Sequence, residues 1–322
     1  MKSPARLRTA SHQVVLGALL VALFALALRL DPGFVARGVQ LELSTHAVEL
    51  ALLALPMTLI MISGGIDLSV GSIMALAAVA LGLLYEAGAP MWLAAGAAVV
   101  VGSAAGTVNG VFVAIARVHP LIVTLAALAL YRGLAEGISQ GRPISGFPES
   151  FAWLGSAAVV GVPVSVLLVL AGAGATAFFK ARTVDGFRIQ AVGDNERAAW
   201  YAGIPVDRVK WALYTASGAA GGLAAVLFVA RRNTAKADIG SGIELEVITA
   251  VVLGGTSITG GRGSVLGTIL GVALIHEVRE FVSWHWQRDE LILIVIGIIL
   301  IGSVLLNTLA SKGRPRLSGV AR

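Results

Sequence analysis

Apolar stretches of membrane-spanning length recur from one end of the chain to the other, and no other feature limits the fold so strongly. A helix needs roughly 20 apolar residues to cross the hydrocarbon core of a bilayer. Ten candidates stand at about 13–30, 47–62, 70–85, 91–115, 120–134, 157–179, 211–229, 245–258, 264–281 and 290–309. Backbone amides find no water in lipid, so such runs become helices that satisfy their own hydrogen bonds. The expected fold is all-α: a polytopic membrane protein of about ten transmembrane helices with Gly-interrupted segments. Candidates 47–62 and 245–258 are short or run into glycine clusters, and eight spans is the alternative count. The first candidate leads into Asp31-Pro32-Gly33, so it reads as a retained helix rather than a signal peptide. Only 13% of residues are charged, against roughly 25% in soluble domains. No soluble domain fits between the spans, and residues 1–322 read as one transmembrane domain.

Charge sets the expected orientation. Residues 1–12 carry Lys2, Arg6 and Arg8, residues 310–322 carry Lys312, Arg314, Arg316 and Arg322, and neither tail has an acid. Basic tails beside apolar helices follow the positive-inside pattern, which puts both termini in the cytoplasm. That pattern accounts for the net charge of +6 without invoking nucleic acid. The longest polar stretch, Lys180–Lys210, holds six basic and four acidic residues and is expected on the same side. There is no cysteine, hence no disulfide and no thiolate metal site. There is no P-loop either, since "GGTSITGGRGS" at Gly254–Ser264 lacks the lysine and hydroxyl pair. "HEVRE" at His276–Glu280 lacks the second histidine of a zinc helix, and "WHW" at Trp284–Trp286 reads as an interfacial aromatic anchor. No catalytic constellation is visible, so the chain is not expected to be an enzyme.

The polar stretch contains "GDNERAAWYAGIPVDRVK", starting at Gly193. Asp194 or Asn195 can cap a short helix, Gly203 can close it in the left-handed conformation, and Pro205 prevents its continuation. Ala198, Ala199 and Ala202 give it a small face suited to press into a groove on a partner; a solvated loop helix is the alternative.

Four stretches carry a resemblance: "ALPMTLIMISGGIDLSVGSIMAL", "NGVFVAIARVHPLIVTLAALALYRG", "AVGDNERAAWYAGIPVDRVK" and "GIELEVITAVVLGGTSITGGRGSVLGT". Together they resemble the membrane permease subunits of carbohydrate-importing ABC transporters, the ribose, xylose, rhamnose and autoinducer-2 group. The likeness runs from about residue 15 to 310, and within the group it is nearest the rhamnose and autoinducer-2 permeases. It implies a bacterial inner-membrane protein working as a homo- or heterodimer of permeases. It implies a cytoplasmic tandem-domain ATPase, which hydrolyses the ATP, a periplasmic sugar-binding protein, and no cofactor bound by this chain. Residues 180–210 then become the coupling loop, with Asn195, Glu196, Ala198, Ala199 and Gly203 at the ATPase contact. Arg197 stands where the broader coupling motif has alanine.

Asp67, in "MISGGIDLSVGS", sits between two apolar runs, where a carboxylate costs about 2.5–3.5 kcal/mol on insertion scales. Gly64 and Gly65 are expected to break the preceding helix, and Asp67 and Ser69 to cap the helix starting near Val70. Irregular backbone at membrane depth must be buried in protein or line a cavity. The motif therefore reads as a hinge beside the translocation path, with sugar contact or proton coupling by Asp67 as alternatives. A second glycine break begins at Gly254 and Gly255, and paired breaks point toward a pathway. Asn109 and Thr124 are expected to bond between helices, and Arg132 to snorkel outward. An ion-coupled secondary transporter would also use a membrane carboxylate but leaves the coupling-like helix unexplained. A branched-chain amino-acid ABC permease is the other alternative.

Overall fold

The computed structural model describes residues 4–302 except 289, 293, 296 and 300, with side chains from residue 13 onward. Residues 1–3, the 310–322 tail and part of the expected span 290–309 lie outside the described residues. The chain is built from helices α1 (Pro4–Leu30), α2 (Arg37–Ser44), α3 (Val48–Ile62), α4 (Val70–Glu86), α5 (Met91–Gly110) and α6 (Pro120–Ser139). Then come α7 (Glu149–Ser156), α8 (Val164–Arg182), α9 (Val184–Asp194), α10 (Glu196–Tyr201), α11 (Val206–Arg232), α12 (Ile243–Leu253) and α13 (Val265–Trp286). Short strands β1 (Ile144–Ser145) and β4 (Thr234–Ala235) pair antiparallel, as do β2 (Ala158–Val159) and β3 (Val162–Pro163).

Among the described residues, six helices are long and apolar enough to cross a membrane. They run over Gln13–Leu30, Arg37–Ile62, Met91–Ile115, Pro120–Ser139, Val164–Arg182 and Val206–Arg232. The expected ten is not reached among the described residues: 290–309 lies partly outside them, and the other shortfalls have local reasons. Helix α4 has 17 residues, and α12 stops after 11, a rise of about 17 Å, where its apolar run meets Gly254. Helix α13 has the length but carries Glu277, Arg279 and Glu280. The start of the 157–179 run is spent on the β2–β3 hairpin.

Helix α3 is apolar on every face, and nearly all its residues are buried, which makes it the central element. It packs against α8, α11, α12 and α13, and together with α4 and α5 these enclose one large apolar core. Helices α5 and α11 meet along glycines four apart, Gly102 and Gly106 on one, Gly218 and Gly222 on the other. A methyl group at Gly106 would sit 2.9 Å from Gly218 Cα. Where burial of apolar surface does not drive association, such close backbone approach does. Helix α3 is also tied to α11 by a buried ion pair, Glu49 to Arg231 at 2.8 Å.

A second apolar cluster sits at the end of the molecule that holds the polar loop. It joins Leu59, Ile60 and Ile62 of α3 to Ile189 and Val192 of α9, Ala199 of α10, and Leu213 and Tyr214 of α11.

Candidate functional site

The helices before both breaks end in the same way. After α3, Gly64 N donates to Met61 O (3.0 Å) and Gly65 N to Ile60 O (2.9 Å). After α12, Gly255 N donates to Val252 O (2.9 Å) and Thr256 N to Val251 O (3.2 Å). Each is a Schellman closure, which needs one residue at positive φ. Gly64 and Gly255 supply it, both at +86°. The glycine pairs thus stop two apolar helices, with Gly64 and Gly255 themselves exposed.

Past the first break the chain places Asp67, which is fully buried. Its Oδ1 accepts from the Ser69 backbone N–H (3.0 Å) and the Ser69 hydroxyl (2.6 Å), and its Oδ2 accepts from the Ser217 hydroxyl (2.9 Å). Asn109 Nδ2 donates to Ser69 Oγ (2.8 Å). The Tyr131 hydroxyl lies 3.1 Å from Asn109 Oδ1 and 2.9 Å from Ala105 O, sharing its proton between them. The result is a polar chain tying the start of α4 to α5, α6 and α11, with every carboxylate oxygen occupied. Buried polar groups are tolerated when paired in this way.

The expected cap does not form. Ser69 holds the N-cap position in a helical conformation without a side-chain cap bond, and Asp67 closes a turn onto Ser69 instead. Thr124 bonds Pro120 O in its own helix (3.0 Å) and reaches Ile66 O at 3.5 Å. Arg132 does not snorkel outward. Its guanidinium clamps the carbonyls of Ala237 and Ile239 in the loop between α11 and α12, the latter at 2.8 Å. Tyr131 and Ser217 complete the chain and were missed. A lone tyrosine before Arg132 in an apolar helix was the available signal for the first, and nothing local marks the second.

The second break has no acid. It packs by backbone: Gly254 abuts Gly267, and Gly271 abuts Ala250 O. The Thr58 and Thr268 hydroxyls meet at 2.7 Å beneath it, and Lys180 of α8 donates to Gly263 O at 2.7 Å. The Thr256 hydroxyl is buried without a partner among the described residues.

The polar loop forms two helices rather than one. Helix α9 runs to Asp194, and Asn195 caps α10 by accepting from Ala198 N (3.0 Å). Gly203 closes α10 at φ +80°, as expected. The small face is turned differently from the expectation, because Ala198 and Ala202 are exposed while Ala199 is only 4% exposed and packs in the second cluster. Side chains that do project are Trp200 and Tyr201, 57% and 81% exposed and edge-to-face at 5.1 Å. Glu196 pairs with Lys210 at 2.6 Å.

Two glycine-stopped helices, a buried polar chain behind the first break, a short projecting helix and six helices long enough to cross a membrane are the architecture of a polytopic membrane protein. The fold is similar to that of a chain of an inward-facing ABC transporter described as of the metal-chelate type. That likeness has a TM-score of 0.50 and 15% identity, covering 94% of this chain and 99% of that one. The chain belongs to the family described as the branched-chain amino acid transport system permease component, whose profile matches residues 40–304. It is 32% identical over 295 residues to the autoinducer 2 import system permease protein LsrD of Escherichia coli O9:H4 (strain HS), covering 90% of this chain and 89% of that protein. The protein of the same description from Photorhabdus luminescens is 34% identical over 261 residues, or 79% and 78% of the two chains.

Proposed function

We propose that this chain forms the translocation path of an ATP-driven importer for a monosaccharide or sugar-like solute, with an autoinducer-2 or rhamnose type of solute favoured over a pentose. Identity spread over nine-tenths of both chains with an autoinducer 2 import permease carries this reading. The chain works in the bacterial inner membrane with both termini cytoplasmic. It pairs with a second permease, identical or not, receives solute from a periplasmic sugar-binding protein, and leaves ATP hydrolysis to a tandem-domain ATPase.

Helix α10 is the ATPase contact, presenting Asn195, Glu196, Ala198 and Gly203 together with Trp200 and Tyr201, while Ala199 seats it on the permease. The breaks at Gly64, Gly65, Gly254 and Gly255 border the path. Asp67, Ser69, Asn109 and Thr124 hold it from behind. Since the receptor selects solute, the path itself needs no tight sugar site.

The test is reconstitution in proteoliposomes with the ATPase and the receptor. ATP-dependent uptake of autoinducer-2 or rhamnose is the expected result. The family's description favours a second reading, branched-chain amino acids; ATP-dependent leucine uptake in place of sugar would establish it. Uptake driven by a proton gradient without ATP would overturn both.

A further inference from the structure

Both breaks and the root of α10 meet at one residue that lies in neither break. Gly193, two residues before the Asn195 cap, packs its α-carbon directly on the backbone of the other two segments. A methyl group there would overlap the Ile62 carbonyl oxygen at the end of α3 and lie 2.6 Å from Gly261 N in the second break. Gly261 N in turn donates to Ile62 O at 2.8 Å, so the two breaks are bonded to each other beside Gly193. A methyl at Gly260 would lie 2.8 Å from Gly193 O and 3.2 Å from Gly64 Cα, and one at Gly261 would strike the Asp194 carboxylate. Three segments far apart in sequence therefore touch main chain to main chain at Gly193, with the side chains of Asp194 and Ile62 packed beside it on Gly261 and Gly263. Nearby, Ala199 of α10 shares an apolar cluster with Ile62.

Side chains between packed elements absorb small displacements by changing rotamer, whereas main chain on main chain has no such slack, and close-packed interiors transmit strain. We infer that Gly193 is a positioning residue for transport: it fuses the root of α10 to both glycine breaks, so that these three segments move as one rigid body when the ATPase moves α10. The inference rests on α10 being the ATPase contact. It adds that motion reaches both breaks together, with the first break passing it to the Asp67 chain five residues on and the second to α13.

Gly193→Ala in the assembled transporter tests it. The expected result is loss of about tenfold or more in ATP-driven uptake, with the ATPase still co-purifying and still hydrolysing ATP. Uptake close to wild type would overturn the inference. Because this variant can fail to fold, a second measurement leaves Gly193 intact. The chain has no cysteine of its own, so Arg197→Cys with Thr259→Cys, both exposed, accept spin labels on α10 and on the second break. In a labelled complex that transports, the label-to-label distance should be the same without nucleotide and with ATP trapped. A change of more than about 2 Å, the scale of helix shifts in switching proteins, would overturn it. If the wild-type chain bound no ATPase at all, the coupling role of α10 would fail first and this inference with it.

Discussion

The break at 63–69 and the break at 254–264 begin with the same pair of backbone hydrogen bonds, yet the first holds a carboxylate with three donors and the second holds no acid. The first is fastened to the membrane helices α5, α6 and α11 by directional bonds. The second is fastened to α13 chiefly by glycine packing and by the Ser264 cap, to α1 by Gln13 on the Ser264 hydroxyl, and to α8 by the lysine at 180. Each should therefore respond to a different kind of damage. Removing polar atoms harms the first, because each loss strands a buried partner. Adding a carbon harms the second, because main chain already occupies the space.

The largest effect is expected from Asp67→Ala. It strands the Ser69 N–H, the Ser69 hydroxyl and the Ser217 hydroxyl, and should cost about 3–5 kcal/mol. Asp67→Asn keeps an acceptor for Ser69, and its amide can donate to the Ser217 hydroxyl, so much of the stability and uptake should survive. Thermal melts of the detergent-purified protein, read by size exclusion, would rank the three. Equal losses for Asn and Ala would mean that the charge, not the hydrogen bonding, holds the first break.

Gly254→Ala should come next, at about 1–3 kcal/mol, since its methyl would sit 2.5 Å from the Gly267 carbonyl carbon and 2.6 Å from Thr268 N. The same melts would detect it. A neutral outcome would show that α12 and α13 can part, and the contrast between the breaks would lose its second half.

The smallest effects sharpen the comparison by deleting a hydroxyl on each side. Ser217→Ala leaves Asp67 Oδ2 without its donor and should cost about 1–3 kcal/mol. Thr256→Val removes a buried hydroxyl without a partner among the described residues, so it should leave stability unchanged or raise it, and should not lower it. If the two hydroxyl deletions cost the same, the second break contains polar bonding that its geometry does not reveal.

The positions of both breaks were legible because Gly-Gly following an apolar run can stop a helix, and the structure stops both helices there. The Asn195 cap and the Gly203 closure were legible for the same local reason. The partners of Asp67 were not. Ser217 is 150 positions away, and only tertiary packing brings it to the carboxylate. Helix α10 has six residues, too few for periodicity to say which alanine faces inward, so Ala199 was placed on the wrong side. Among the described residues the count of spans falls short of ten where hydropathy and helix length part company, as in α12, whose apolar run outlasts its helix. Arg132 was misjudged because a free loop carbonyl leaves no mark in a hydropathy profile.

The α5–α11 seam bears on how this chain can vary over generations. Glycine and alanine differ little in hydropathy, so exchanging them leaves the membrane profile of either helix nearly unchanged. At Gly102, Gly106, Gly218 and Gly222 the nearest atoms belong to the opposite backbone, and the alphabet permitted there shrinks to a single letter. A library of all single Gly→Ala variants should accordingly be depleted at those four sites and nearly unselected at Gly96, Gly133 and Gly137, where nothing lies within 4 Å. Selection would then print, as a four-residue rhythm of forbidden alanines, a seam that composition alone does not reveal.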